Sequence, residues 1–205
     1  RMAVSHLFDA GSSIAAIEAR VGKFPARTIT RMIERGLNAP PTSSVGRLFD
    51  AIAAIAGVRD STTFEGQAAM QLEWLAGQVG PDSGYPHELQ QAADGLVIDT
   101  RPMIAAAWQD AGRCLSLGTI ARRFHVGLAD MVLNVCRRVR DETGIDAIVL
   151  SGGVFLNVIL TIACEERLSG AGFRVYRHRV VPPGDGGVSL GQLAIAAARS
   201  DTLCA

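Results

Sequence analysis

Along the first third of the chain, apolar residues recur at three- and four-residue spacing. Val4, Leu7 and Phe8 mark one amphipathic stretch and Ile14 and Ile17 a second, with Gly11-Ser12-Ser13 as the break. Ser13 is placed to cap the second helix. A third helix is predicted from about Pro25, a first-turn residue, to Arg35, with Gly36 as its stop. Asn38-Ala39-Pro40-Pro41 is a rigid connector, and Thr42-Ser43-Ser44 offers N-caps for a helix through Leu48, Phe49, Ile52 and Ile55 that ends at Gly57. Another helix is expected over 67–78. In the middle, 80–84 reads as loop, and the stretches 85–91 and 96–99 flank Ala93-Asp94-Gly95, which reads as a hairpin turn. Helices over 101–111 and 117–142 follow. The last third alternates: a buried strand at 147–150, a helix at 154–169, a strand at 173–176 that Val180-Val181 can extend, and a helix at 187–199. Strand, glycine turn, helix, strand, helix is an α/β arrangement with a parallel element. The pattern divides one domain into a helical segment, 1–80, and an α/β lobe, 81–205.

Charge then narrows the partners. Twenty basic and twenty acidic side chains cancel, and aromatics are few. That gives no electrostatic footprint for nucleic acid or an anionic membrane, and no stacking surface for single strands. No apolar run reaches the roughly 18 residues of a membrane span. The four cysteines, Cys114, Cys136, Cys164 and Cys204, form no CxxC pair, which fits reduced thiols in a cytoplasmic protein. Arg1-Met2-Ala3-Val4 lacks the apolar core of a signal peptide. The helical pattern is already running at Val4 without a cap, as expected of a domain cut from a longer protein.

Four segments carry candidate chemistry. In the first, Ile148-Val149-Leu150-Ser151-Gly152-Gly153 runs a strand into a glycine turn, and Asn157 lies one turn further on. Glycines let a phosphate approach main-chain N–H groups, and a following helix N-terminus adds partial positive charge. A tight strand–helix turn without a ligand fits the same spacing equally well. The second, Pro182-Pro183-Gly184-Asp185-Gly186-Gly187, sets one carboxylate in a glycine nest, where helix capping is its commoner role and metal ligation its sharper one. In the third, Arg47 and Asp50 share a helix face, as a surface ion pair or as contacts for phosphate and ribose hydroxyls. The fourth, Phe64-Glu65-Gly66-Gln67, is by itself a helix start. His125 lies within the long helix, where a lone histidine is more often packed or solvated than a ligand.

These segments, in this order, resemble the C-terminal part of HypF-type carbamoyltransferases of [NiFe]-hydrogenase maturation. The likeness rests on Asn38-Ala39-Pro40, Ser43-Ser44-Val45-Gly46-Arg47-Leu48-Phe49-Asp50-Ala51, Glu65-Gly66-Gln67-Ala68-Ala69, Phe124-His125, Ser151-Gly152-Gly153-Val154-Phe155-Leu156-Asn157 and Pro182-Pro183-Gly184-Asp185-Gly186-Gly187. It implies an α/β, helix-rich chain forming most of the second lobe of an actin/Hsp70-like (ribonuclease-H-like) ATPase fold, similar to the tRNA-threonylcarbamoylation protein. It also implies a reaction. A neighbouring domain makes carbamoyl-adenylate from carbamoyl phosphate and ATP, and this domain passes the carbamoyl group to the C-terminal cysteine of a HypE-like acceptor for cyanide-ligand synthesis.

By the same resemblance, Asp50 falls on a carboxylate that holds ribose hydroxyls and Gly66 on a glycine turn beside the nucleotide. Gly152, Gly153 and Asn157 fall on the phosphate and nucleoside turn, Arg47 and Glu65 on further nucleotide contacts, and Asp185 on a ligand of a divalent metal ion, with iron, zinc and magnesium all open. The family's His-His-x-x-His metal segment has no counterpart among His6, His87, His125 and His178, and is expected upstream. Two other readings stand beside this one: an antibiotic O-carbamoyltransferase of related fold, and a non-catalytic docking module.

Overall fold

Capping side chains set several of the boundaries. Ser13 Oγ accepts from Ala16 N at 3.2 Å, Ser116 Oγ from Thr119 N at 3.1 Å, and Asn157 Oδ1 from Leu160 N at 2.9 Å. Each satisfies a first-turn N–H that has no partner within its helix. The computed structural model describes residues 1–93 and 95–203, and of 200–203 the backbone alone. Asp94, in the expected hairpin turn, and Cys204 lie outside the described residues.

Five helices come first: α1 (Met2–Asp9), α2 (Ile14–Val21), α3 (Lys23–Glu34), α4 (Val45–Ala56) and α5 (Gln67–Ala76). An antiparallel pair follows, β1 (Glu88–Ala92) and β2 (Gly95–Asp99), in register from Glu88↔Asp99 to Ala92↔Gly95. Then come α6 (Arg101–Gly112) and the 27-residue α7 (Leu117–Thr143). The last part alternates β3 (Ala147–Leu150), α8 (Val158–Gly170), β4 (Arg174–Arg177) and α9 (Val188–Leu203). Strands β3 and β4 pair in parallel, Ala147 against Arg174 and Leu150 against Arg177.

Helix α7 is the spine. It packs on α4, α5, α6 and α8, and its buried Phe124 meets Phe49 of α4 edge-to-face at 4.8 Å. One apolar core runs from Val4 and Leu7 in α1 through Phe49, Leu72 and Phe124 to Leu168 and Phe173. Among the described residues no helix is long and apolar enough to cross a membrane.

Two expectations need correction. Val180-Val181 does not extend the parallel pair: Val180 is 95% exposed and outside any strand. Pro182 and Pro183 follow directly, and proline has no N–H to give to a ladder. The helix expected from 154 begins as α-helix only at Val158. Before it, Gly153–Leu156 is a 3-10 turn and Asn157 is the cap.

Candidate functional site

The two glycine-rich turns meet. Gly152, with φ of 99°, follows the end of β3 and donates its N–H to the Pro183 carbonyl at 2.9 Å. Only a residue without a Cβ adopts that backbone freely. A Cβ on Gly184 would lie 3.5 Å from the Gly153 Cα, so the second turn rests against the first. Within the second turn, a Cβ on Gly187 would lie 2.6 Å from the Pro182 carbonyl oxygen, a contact no side chain tolerates. Asp185 opens a 3-10 turn, Asp185–Gly187, and its side chain is exposed.

The expected phosphate cradle differs in detail. The α8 N-terminus faces internal acceptors: Leu160 N–H goes to Asn157 Oδ1, and Val158 N–H goes to Glu73 Oε1 of α5 at 2.7 Å. Its partial positive charge is therefore already matched by a carboxylate. The Gly153–Leu156 turn starts with Phe155 N–H on the Gly152 carbonyl, which leaves the Gly153 and Val154 N–H groups ahead of its ladder. Those two amides, not the helix end, are the main-chain donors at this corner.

Asn157 is buried, and its side chain faces inward rather than towards a ligand. Oδ1 caps α8, which turns Nδ2 towards His125 Nε2 at 2.9 Å. The other ring nitrogen of His125 lies 2.8 Å from the Ala121 carbonyl, which can only accept. Nδ1 therefore carries the proton and Nε2 accepts from Asn157, the neutral tautomer. Burial lowers the His125 pKa to about 4, so it stays neutral. His125 is a packed residue that props the turn, edge-on to Phe49 at 5.5 Å and to Phe124 at 5.8 Å.

Arg47 and Asp50 share the outward face of α4, 3.6 Å apart, with Arg47 largely exposed and Asp50 half-buried. Gly66 takes the left-handed conformation, φ 76°, at the start of α5, and Glu65 beside it is exposed. Among the described residues no hydrogen bond or ion pair joins these four to the glycine turns. The links are indirect. Phe49, next to Asp50, touches the His125 that holds Asn157. Glu73, in the helix that Gly66 starts, bonds the first residue of α8, about 10 Å along the axis from Gly66 at 1.5 Å per residue. Periodicity does not reveal Glu73, because 85 residues separate it from Val158. The Asn157 cap was missed, because the helix was expected to start at 154 with Asn157 one turn inside it, although asparagine is a favoured N-cap residue.

One more polar pair lies here. Ser151 Oγ and His178 Nε2 are 2.9 Å apart, one just past β3 and the other just past β4. As for metal, a lone carboxylate supplies one of about six oxygen ligands. No group of three His, Cys, Asp or Glu side chains that could hold an ion comes together among the described residues. Asp185 by itself does not make a metal site.

A family model described as "Carbamoyltransferase, Kae1-like Domain, second subdomain" matches residues 1–192. Carbamoyltransferase HypF2 of Cupriavidus necator is 36% identical over 98% of this chain and 27% of its own length. Carbamoyltransferase HypF of Synechocystis sp. is 36% identical over 82% of this chain and 21% of its own. A crystal structure of full-length HypF in a phosphate- and nucleotide-bound form superposes with a TM-score of 0.83 at 37% identity, over 96% of this chain and 26% of that one. The chain thus spans about a quarter of the length of these relatives.

Proposed function

Because the chain belongs to the HypF carbamoyltransferase family, and its fold is the helix-rich second subdomain of an actin/ribonuclease-H-like ATPase fold, we propose that it forms one wall of a carbamoyl-transfer site. The donor is carbamoyl-adenylate, made elsewhere in the longer protein from carbamoyl phosphate and ATP. The acceptor is the C-terminal cysteine of a HypE-like protein in hydrogenase maturation. The observation that carries this reading is the junction of the two turns, Gly152 N–H on the Pro183 carbonyl, which sets the Gly153 and Val154 amides, without an acceptor among the described residues, beside the Asp185 turn. Main-chain donors at such a corner suit phosphate oxygens. The nucleotide- and phosphate-bound state of the related full-length HypF adds support.

On this reading Arg47 and Asp50 take a phosphate and the ribose hydroxyls, and Glu65 and Gly66 flank the nucleoside. Gly152 shapes the turn, and Asn157 acts through the turn's position. The chain's share of catalysis is to orient the adenylate and stabilise the charge that develops as AMP leaves. Asp185 is one ligand of a divalent metal whose other ligands come from outside this chain. Such an ion would neutralise phosphate charge when bound.

Calorimetry with ATP and AMP on the full-length protein tests the nucleotide assignment. Asp50→Ala should weaken binding roughly 10- to 100-fold, the loss of a charged hydrogen bond. Asp185→Ala should abolish carbamoyl transfer. Wild-type transfer by that variant sinks the metal role, and a folded protein without nucleotide affinity favours a docking module.

A further inference from the structure

Ligands of open α/β sheets bind at the carboxyl ends of parallel strands. Here that edge carries two side chains of complementary proton chemistry. Ser151 follows Leu150, the last residue of β3, and His178 follows Arg177, the last residue of β4. Parallel register puts Leu150 opposite Arg177, so Ser151 and His178 are brought together, and Ser151 Oγ lies 2.9 Å from His178 Nε2. Both are exposed, and 27 residues of chain separate them. The bond is therefore set by the sheet and open to a reactant.

Beside it is a cavity of about 80 Å³ lined by His178, Arg177, Phe155 and Thr161 among others. That is room for roughly two or three waters at ~30 Å³ each, the size of a group of three non-hydrogen atoms. Thr161 Oγ1 is committed to the Phe155 and Asn157 carbonyls at 2.9 and 2.8 Å, so His178 and Arg177 are the lining side chains left to act on what enters. In the chain His178 is flanked by two cations, Arg177, which pairs with Glu165 of α8 at 3.3 Å, and Arg179.

We propose that Ser151 and His178 form a proton relay for the acceptor nucleophile during carbamoyl transfer, with the small cavity taking the carbamoyl group. This rests on the carbamoyl-transfer reading above. The acceptor thiol gives its proton to Ser151 Oγ as the Ser151 hydroxyl proton passes to His178 Nε2. The sulfur–carbon bond forms at the carbamoyl carbonyl. The bond from that carbon to the phosphate oxygen breaks, and its electron pair leaves with AMP. His178 then releases the proton to solvent.

The test uses the full-length protein with ATP, carbamoyl phosphate and the HypE-like acceptor, with transfer read as the mass gain of the acceptor. At pH 7, Ser151→Ala and His178→Gln should each slow transfer roughly 100-fold, the scale of one general base, with acceptor KM little changed. Ser151→Thr, which keeps a hydroxyl, should restore most of the rate. Near pH 9 a free thiol of ordinary pKa ~8.5 ionises without help, so both defects should shrink to within about 10-fold. A defect that stays constant with pH marks the pair as a tether between strand ends and overturns the relay. So does wild-type transfer by both variants at pH 7. Absence of transfer by the wild-type protein instead overturns the carbamoyl-transfer reading itself.

Discussion

At the scale of single residues, His125 holds the most constrained position near the candidate site. Its two ring nitrogens are satisfied in only one tautomer, and burial lowers its folded pKa from 6.5 to about 4. Linkage then has a definite sign. Above about pH 6.5 the ring is neutral folded and unfolded alike, and its contribution is fully present. As pH falls from 6.5 to 4 the unfolded chain takes up the proton and the folded one does not, so stability drops. The full difference is on the order of 3 kcal/mol. His125→Gln should flatten the dependence of the urea midpoint on pH in that window. His6 and His87, whose values burial also lowers, keep the remaining slope. The arginine-bonded Asp82 and Asp99 act below it, because their folded values lie under the ordinary carboxylate range. An unchanged slope in His125→Gln would mean that the ring is not held neutral. The sequence left His125 as packed or solvated and did not point to Asn157 as the group that fixes its tautomer, because helical and capping patterns are local and these residues are 32 apart.

At the scale of elements, the joint that matters is the one between the 80–87 loop and α7. A Cβ on Gly127 would lie 2.7 Å from the Tyr85 carbonyl oxygen, and one on Gly84 would lie 2.7 Å from Gly127 N. Two backbones cross with no room for a side chain. Polar bonds clamp the crossing: Tyr85 OH donates to Asp110 Oδ2 at 2.9 Å, and Arg123 bridges Asp110 at 2.8 Å and Asp82 at 3.0 Å. Gly127→Ala gains about 1 kcal/mol of helix propensity. It meets backbone that cannot swing aside, and loosening the loop also strains the buried Tyr85 bond. A net loss of roughly 2 kcal/mol in urea unfolding is expected. Gly112→Ala, with open space around its Cβ, should be neutral or slightly stabilising and serves as the control. Equal behaviour of the two variants would remove the crossing from the account. Helix and strand identities at this scale were legible from periodicity and caps. The glycine crossing was not, because a mid-helix glycine has the same sequence signature whether its surroundings are empty or full.

At the scale of the whole molecule, the change at about residue 80 from an all-helical to an alternating pattern suggests two parts. Packing joins them. Phe49 of α4 is buried on Phe124 of α7, Leu72 of α5 lies in the same core, and Glu73 caps α8 across the divide. The site depends on that union, since Asp50 sits on the first part and the glycine turns on the second. If one core serves both, damage at one end must be felt at the other. Phe49→Ala should cost about 3–5 kcal/mol as a large-to-small core change. The amides of Arg174, which donates to the Asp146 carbonyl at 2.9 Å, and of Ile148, the next donor across the parallel β3–β4 ladder, are distant in sequence from Phe49 and should lose protection from hydrogen exchange by a comparable free energy. Two independent units would instead leave those two amides as protected as before while α4 and α5 exchange faster. The parallel strands could then hold Ser151 and His178 in place without the helices, and Asp50 would belong to a separate piece of the machinery.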